Sequence, residues 1–114
     1  MGGTDEPPGA QMPYFLVMIE EVPGHPPVDH ESYIDSLVRR NLLLAGGPLL
    51  PAAGGRFAAA YVLRAADHAE ATAIAATDPL YTSGAANLSV VWWDLVGINP
   101  AAVDRELELT PRAR

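Results

Sequence analysis

Cysteine is missing from this 114-residue chain. That removes a disulfide framework, a thiolate zinc site and a cysteine nucleophile together. Lysine is missing too: the seven cationic residues are all arginine, against fourteen carboxylates. The net charge of −7 argues against a nucleic acid or an anionic membrane as partner, since both need clustered cations. Without lysine, neither "AGGP" nor "AAGG" forms a phosphate loop, and both read as turn chemistry and close backbone approach. No apolar run reaches the ~18 residues that span a bilayer. The opening "MGGTDEPPGAQMP" lacks the basic-then-apolar order of a secretory signal. A cytoplasmic location in a bacterium of GC-rich genome fits these absences.

What is present is a single globular domain. Hydrophobic residues make up 49% of the chain, and its length suffices for one core but not two. Residues 1–13, rich in Gly and Pro, read as a flexible leader, residues 14–96 as the folded domain, and residues 97–114 as a tail holding a short helix in "AAVDRELEL". Within the domain, "YFLVMIE" is a first strand, and Asp29 caps a helix that runs to about Asn41, with Val28 stapled onto Tyr33. "LLLAGGPLLP" is a second strand broken at Gly46-Gly47-Pro48, and "RFAAAYVLRA" is a third, antiparallel to it. Asp67 and Glu70 form a capping box on a second helix that Pro79 ends. "NLSVVWWDLV" (Asn87–Val96) is the last strand.

The order β-α-β-β-α-β predicts an α+β, ferredoxin-like fold: a four-stranded antiparallel sheet with both helices on one face. The strands are apolar at nearly every position, whereas a sheet with one wet face alternates. A second copy packed face to face would cover the other side, so a homodimer is expected.

His30 is the first candidate for chemistry. With Ile34, Leu37 and Asn41 it follows helical spacing, so an ionisable ring heads the stripe that faces the sheet. A histidine there serves equally well as a helix-end hydrogen-bonding group. The positive end of the helix favours the neutral ring, which is competent as a base when a carboxylate orients it. Asp78, in "ATDPLY", is the best carboxylate, although Asp before Pro also simply marks a boundary. The start of the first helix and the end of the second lie close in this topology. Asp35 points off the apolar stripe toward solvent, and Asp94 stands in the last strand as a structural or pocket-rim group. His25 and His68 match no metal-ligand spacing with His30, so no metal is expected. Tyr14, Tyr33, Tyr81, Trp92 and Trp93 are candidates for a pocket wall. Trp92 and Trp93 point to opposite sides of their strand, and core packing is the plainer role for both.

A helix-initiating His, then "LVRRNLLLAGGP" with Pro48 eighteen residues after His30, then a helix ending in "DP", resembles the YciI-like (YCII-related) domain family. The resemblance spans Tyr14 to Val96. It implies a dimeric α+β barrel in which a His and an Asp, here His30 and Asp78, form a catalytic dyad. Three departures stand out: Ala60 replaces a small polar residue of the third strand, Leu80 replaces an aromatic after "DP", and both ends are extended. They fit a more apolar pocket, suited to an aromatic or polyketide-like molecule.

The leading expectation is thus a cofactor-independent enzyme, with no metal, acting on a small-molecule substrate. Its reaction would be proton transfer in an elimination or dehydration, an isomerisation or a cyclisation, of the lyase or isomerase type. A cofactor-free monooxygenase on the same fold is one alternative. A non-catalytic dimer that binds a metabolite or a partner protein is the other. A cavity holding both His30 and Asp78 in hydrogen-bond contact separates the first reading from the last.

Overall fold

The computed structural model describes residues 13–50 and 55–109. The expected leader, apart from Pro13, lies outside the described residues. Strand β1 (Tyr14–Glu21) is followed by α1 (Glu31–Arg39), β2 (Leu43–Pro48), β3 (Ala59–Arg64), α2 (His68–Ala75), α3 (Pro79–Thr82) and β4 (Ala86–Trp93). The four strands form one antiparallel sheet in the order β2-β3-β1-β4, the ferredoxin-like arrangement.

Central β1 sets the two faces by its alternation. Phe15, Val17 and Ile19 are buried while Leu16 and Met18 between them are half-buried. Tyr33 and Leu37 of α1 and Ala75 of α2 pack with Val17, Ile19, Tyr61 and Leu63, so both helices cover this face. The opposite face carries Leu16 with its cross-strand partner Val91, and Tyr14 with its partner Trp93. Among the described residues, no helix is long and apolar enough to cross a membrane.

The helix ends follow local chemistry. Asp29 accepts from the Ser32 amide and hydroxyl, so its side chain caps the first turn although His30 occupies the cap position. At the other end the Asn41 amide bonds to the Val38 carbonyl, and the Leu42 amide to the Leu37 carbonyl. This double closure requires a left-handed residue, and Asn41 supplies it with φ 58°. On α2, Asp67 accepts from the Glu70 amide and Glu70 reaches back to the Ala66 amide, the expected capping box shifted by one residue.

Several sequence expectations need correction. Strand β2 does not break at the glycines but runs through them to Pro48, with a bulge between Leu43 and Ala45. Glycine is tolerated there because Gly46 lies against Tyr61, where a Cβ would come within 2.8 Å of the Tyr61 Cβ. Pro79 does not simply stop a helix; it opens α3, with Asp78 as its cap. Asp35 is buried and paired with Arg39 at 3.0 Å rather than solvated. Strand β4 ends at Trp93, which leaves Asp94 outside it and exposed. Neither tryptophan is core: Trp92 is 63% and Trp93 44% exposed. Trp92 lies opposite Phe15, on the helix-covered face, but near the end of its strand, where it stays exposed. In the tail, the helical segment takes the form of two 3₁₀ turns, Pro100–Ala102 and Arg105–Leu107.

Candidate active site

The site is built where α1 begins and α3 begins. The extended backbone before Pro79 places Asp78 at a cap position, where its Oδ1 accepts the Leu80 amide at 2.9 Å. Its Oδ2 then faces inward and receives two further groups. Tyr61 Oη donates to it at 3.0 Å, and His30 Nε2 lies 2.9 Å away. Since the amide and the phenol are both donors, Asp78 acts as acceptor, and the network assigns the His30 proton to Nε2. Asp78 is completely buried, and these three donors satisfy both of its oxygens.

His30 is held on its other sides by rings. Tyr33 stacks on it with centroids 5.7 Å apart, and Tyr61 lies tilted at 6.1 Å. Tyr33 Oη donates to the Ile74 carbonyl at 3.0 Å, tying α1 to α2. The proton of each phenol is therefore committed, and the 3.5 Å contact between the two hydroxyls is weak. Burial, above all, raises the Tyr33 phenol above its ordinary value of 10.0. The Tyr61 phenol is pushed well above it, first by burial and then by the adjoining Tyr33 hydroxyl and the Asp78 carboxylate. Both remain neutral donors over the working range of pH.

With Nε2 turned to Asp78, Nδ1 is the nitrogen left to meet a ligand. His30 is 24% exposed and lies in the walls of two adjoining cavities. One, of about 300 Å³, is mainly apolar, lined by Ile19, Ile34, Leu43, Tyr61 and, from the tail, Leu109. The other, of about 740 Å³, is a groove of mixed polarity whose wall includes Glu21, His25 and Arg56. A ring that accepts a proton at Nδ1 while Asp78 holds Nε2 is the arrangement of general acid–base chemistry.

Of the residues singled out from sequence, His30 and Asp78 are brought into contact, and Tyr33 packs behind the ring without lining either cavity. Tyr14, Tyr81, Trp92 and Trp93 line neither cavity. Tyr14 and Trp93 lie on the uncovered face of the sheet, Trp92 is at the end of β4, and Tyr81 is an exposed residue of α3. His68 is remote, bonded to the Val90 carbonyl. His25 bridges the Pro26 and Ser83 carbonyls on the rim of the groove. Sequence reasoning missed Tyr61. Its signal was a lone hydroxyl within the apolar run "AAAYVL", which a buried tyrosine must satisfy with a partner.

A profile of the YCII-related domain matches residues 19–94. The chain belongs to the YCII-related domain family. Among solved structures its fold is similar to that of a 5-chloro-2-hydroxyhydroquinone dehydrochlorinase (TftG) from Burkholderia phenoliruptrix AC1100, determined in complex with 2,5-dihydroxybenzoquinone. The TM-score is 0.56, with 23% sequence identity, over 70% of this chain and 92% of that one. At that identity the likeness establishes the fold alone. No curated protein matches the chain.

Proposed function

We propose that the chain is a cofactor-independent acid–base enzyme in which His30 and Asp78 act as a dyad. The observation that carries this reading is the 2.9 Å contact between His30 Nε2 and a fully buried carboxylate, at the wall of an apolar cavity. His30 Nδ1 removes a proton from a carbon or hydroxyl group of the substrate, Asp78 steadies the imidazolium, and the same nitrogen returns the proton or delivers it to a leaving group. A cavity of about 300 Å³ suits a single substituted ring, with polar substituents directed into the groove. The substrate class is a hydroxylated aromatic or quinone-like metabolite and the reaction an elimination, dehydration, isomerisation or cyclisation. The solved relative, a dehydrochlorinase seen with a dihydroxybenzoquinone, supports that class. The working molecule is a homodimer joined through the uncovered sheet face, in a cytoplasmic setting.

The test begins with 5-chloro-2-hydroxyhydroquinone as probe substrate and 2,5-dihydroxybenzoquinone as probe ligand, then extends to other hydroxylated rings. On whichever substrate is turned over, His30→Ala lowers kcat ~10²–10⁴-fold, the usual worth of a positioned acid–base group. Asp78→Asn gives a similar loss, and the double variant is little worse than either alone, because parts of one unit are not additive. His68→Ala, at a residue that lines neither cavity, retains activity. A fully active His30→Ala enzyme would refute the proposal. Binding of the quinone with no turnover of any ring would favour a non-catalytic metabolite-binding role.

A further inference from the structure

The dyad shares its carboxylate oxygen with a third group. Tyr61 Oη donates to Asp78 Oδ2 at 3.0 Å, and the same oxygen faces His30 Nε2 at 2.9 Å. Asp78 Oδ1 is already engaged by the Leu80 amide, so the phenol and the imidazole share a single oxygen. Tyr61 is 2% exposed and belongs to the central part of β3, opposite Val17 of β1, so its hydroxyl has no solvent to turn toward. It also lines the apolar cavity without presenting its proton to it.

We propose that Tyr61 is a positioning residue that weakens the grip of the His30–Asp78 pair on a proton. By taking up part of the accepting capacity of Oδ2, it makes the imidazolium easier to discharge, so that one ring serves as base and then as acid. This rests on the acid–base reading of the site only for its catalytic consequence; the effect on His30 is measurable without any substrate. Other groups bearing on the ring leave the argument intact. From its own helix the neutral Tyr33 stacks against it, and Asp29 and Glu31 flank it in sequence. Across the groove stand Glu21, His25 and Arg56, all exposed like Asp29 and Glu31, and their influence is screened by salt. Of all these, only Tyr61 bonds the oxygen that holds His30.

The experiment is an NMR titration of the histidine side chains in the full chain, with His25 and His68 as internal references. Each hydrogen bond to a carboxylate stabilises its charged form, so Tyr61→Phe moves the midpoint of His30 protonation upward by about half a pH unit to one unit. Fluorotyrosine at position 61 is a stronger donor, keeps the ring in place, and moves the midpoint the other way. That graded series also covers the case in which the phenylalanine variant folds poorly. In the Asp78→Asn background the change at position 61 leaves His30 where it was. An unchanged midpoint across the series, or equal shifts at His25 and His68, would overturn the proposal. Activity separates the two claims: a fully active His30→Ala enzyme refutes the acid–base function, whereas the titration alone decides the role of Tyr61.

Discussion

Asp78 is the residue on which the site depends, and its surroundings explain why an ionisable group tolerates complete burial. A lone charge in such a place would cost several kcal/mol, but three donors converge on it. Two of the groups around the dyad, Tyr33 and Tyr61, are neutral phenols that burial makes harder to ionise. That has a consequence for stability at high pH. In the unfolded chain each phenol ionises near its ordinary value of 10.0, whereas the folded chain holds the proton beyond it. Below pH 10 their contribution is therefore whole, and it is lost as pH climbs from there toward the folded values. Urea midpoints measured between about pH 9 and 11 should fall steadily for the native chain and less steeply for Tyr61→Phe. An identical slope in both proteins would show that the buried phenols do not drive the alkaline loss.

Among the secondary-structure elements, β2 and the link between α2 and β4 shape the site most. β2 is an edge strand whose glycines let it lie close to β3, and Gly46 abuts Tyr61. Gly46→Ala puts a methyl 2.8 Å from the Tyr61 Cβ, closer than real Cβ contacts come. The expected result is a loss of about 1–3 kcal/mol in stability from overpacking. Tyr61 should also be pushed off Asp78, visible as a changed His30 resonance. A variant as stable as the native chain would mean that the edge strand yields instead. The link was legible only in part. "DP" marks a boundary in any sequence, but α2 already ends at Ala75, and the chain re-enters a short helix at Pro79, making Asp78 a cap. A four-residue helix has too little periodicity to register, and it forms because Asp78 finds its partners across the fold.

Taken whole, the molecule seats α1 and α2 on one face of its sheet and carries exposed apolar residues on the other. Leu16, Met18, Val91 and Trp93 lie there, with Val91 and Trp93 substantially exposed. This is the face proposed to join two copies of the chain. Light scattering at micromolar concentration should return twice the chain mass, and Trp93→Glu should release monomers or precipitate the protein. A native chain that stays monomeric would remove the dimer from the proposed function.

The pairing of His30 with Asp78 came from the family resemblance, whereas the pattern of the sequence was enough for the order of elements, the antiparallel sheet with its helices on one face and the two capping sites. These depend on local spacing, turn chemistry and the alternation of apolar residues, all of which act over a few positions in the chain. The third member of the site was beyond such reasoning. Tyr61 is separated from Asp78 by seventeen positions and from His30 by thirty-one, and the lone hydroxyl in "AAAYVL" calls for a partner without saying which. The same holds for the pocket wall. Ile19, Ile34 and Leu43 read as ordinary core residues, and the tyrosines and tryptophans that looked like better candidates are placed elsewhere by strand ends and sheet faces. Which side chains share a cavity depends on how helices seat on a twisted sheet, and that is decided by packing between residues far apart in sequence. The sequence determined which groups could do chemistry. Tertiary structure alone decided which oxygen of Asp78 meets His30, what else shares it, and which nitrogen is left free to act.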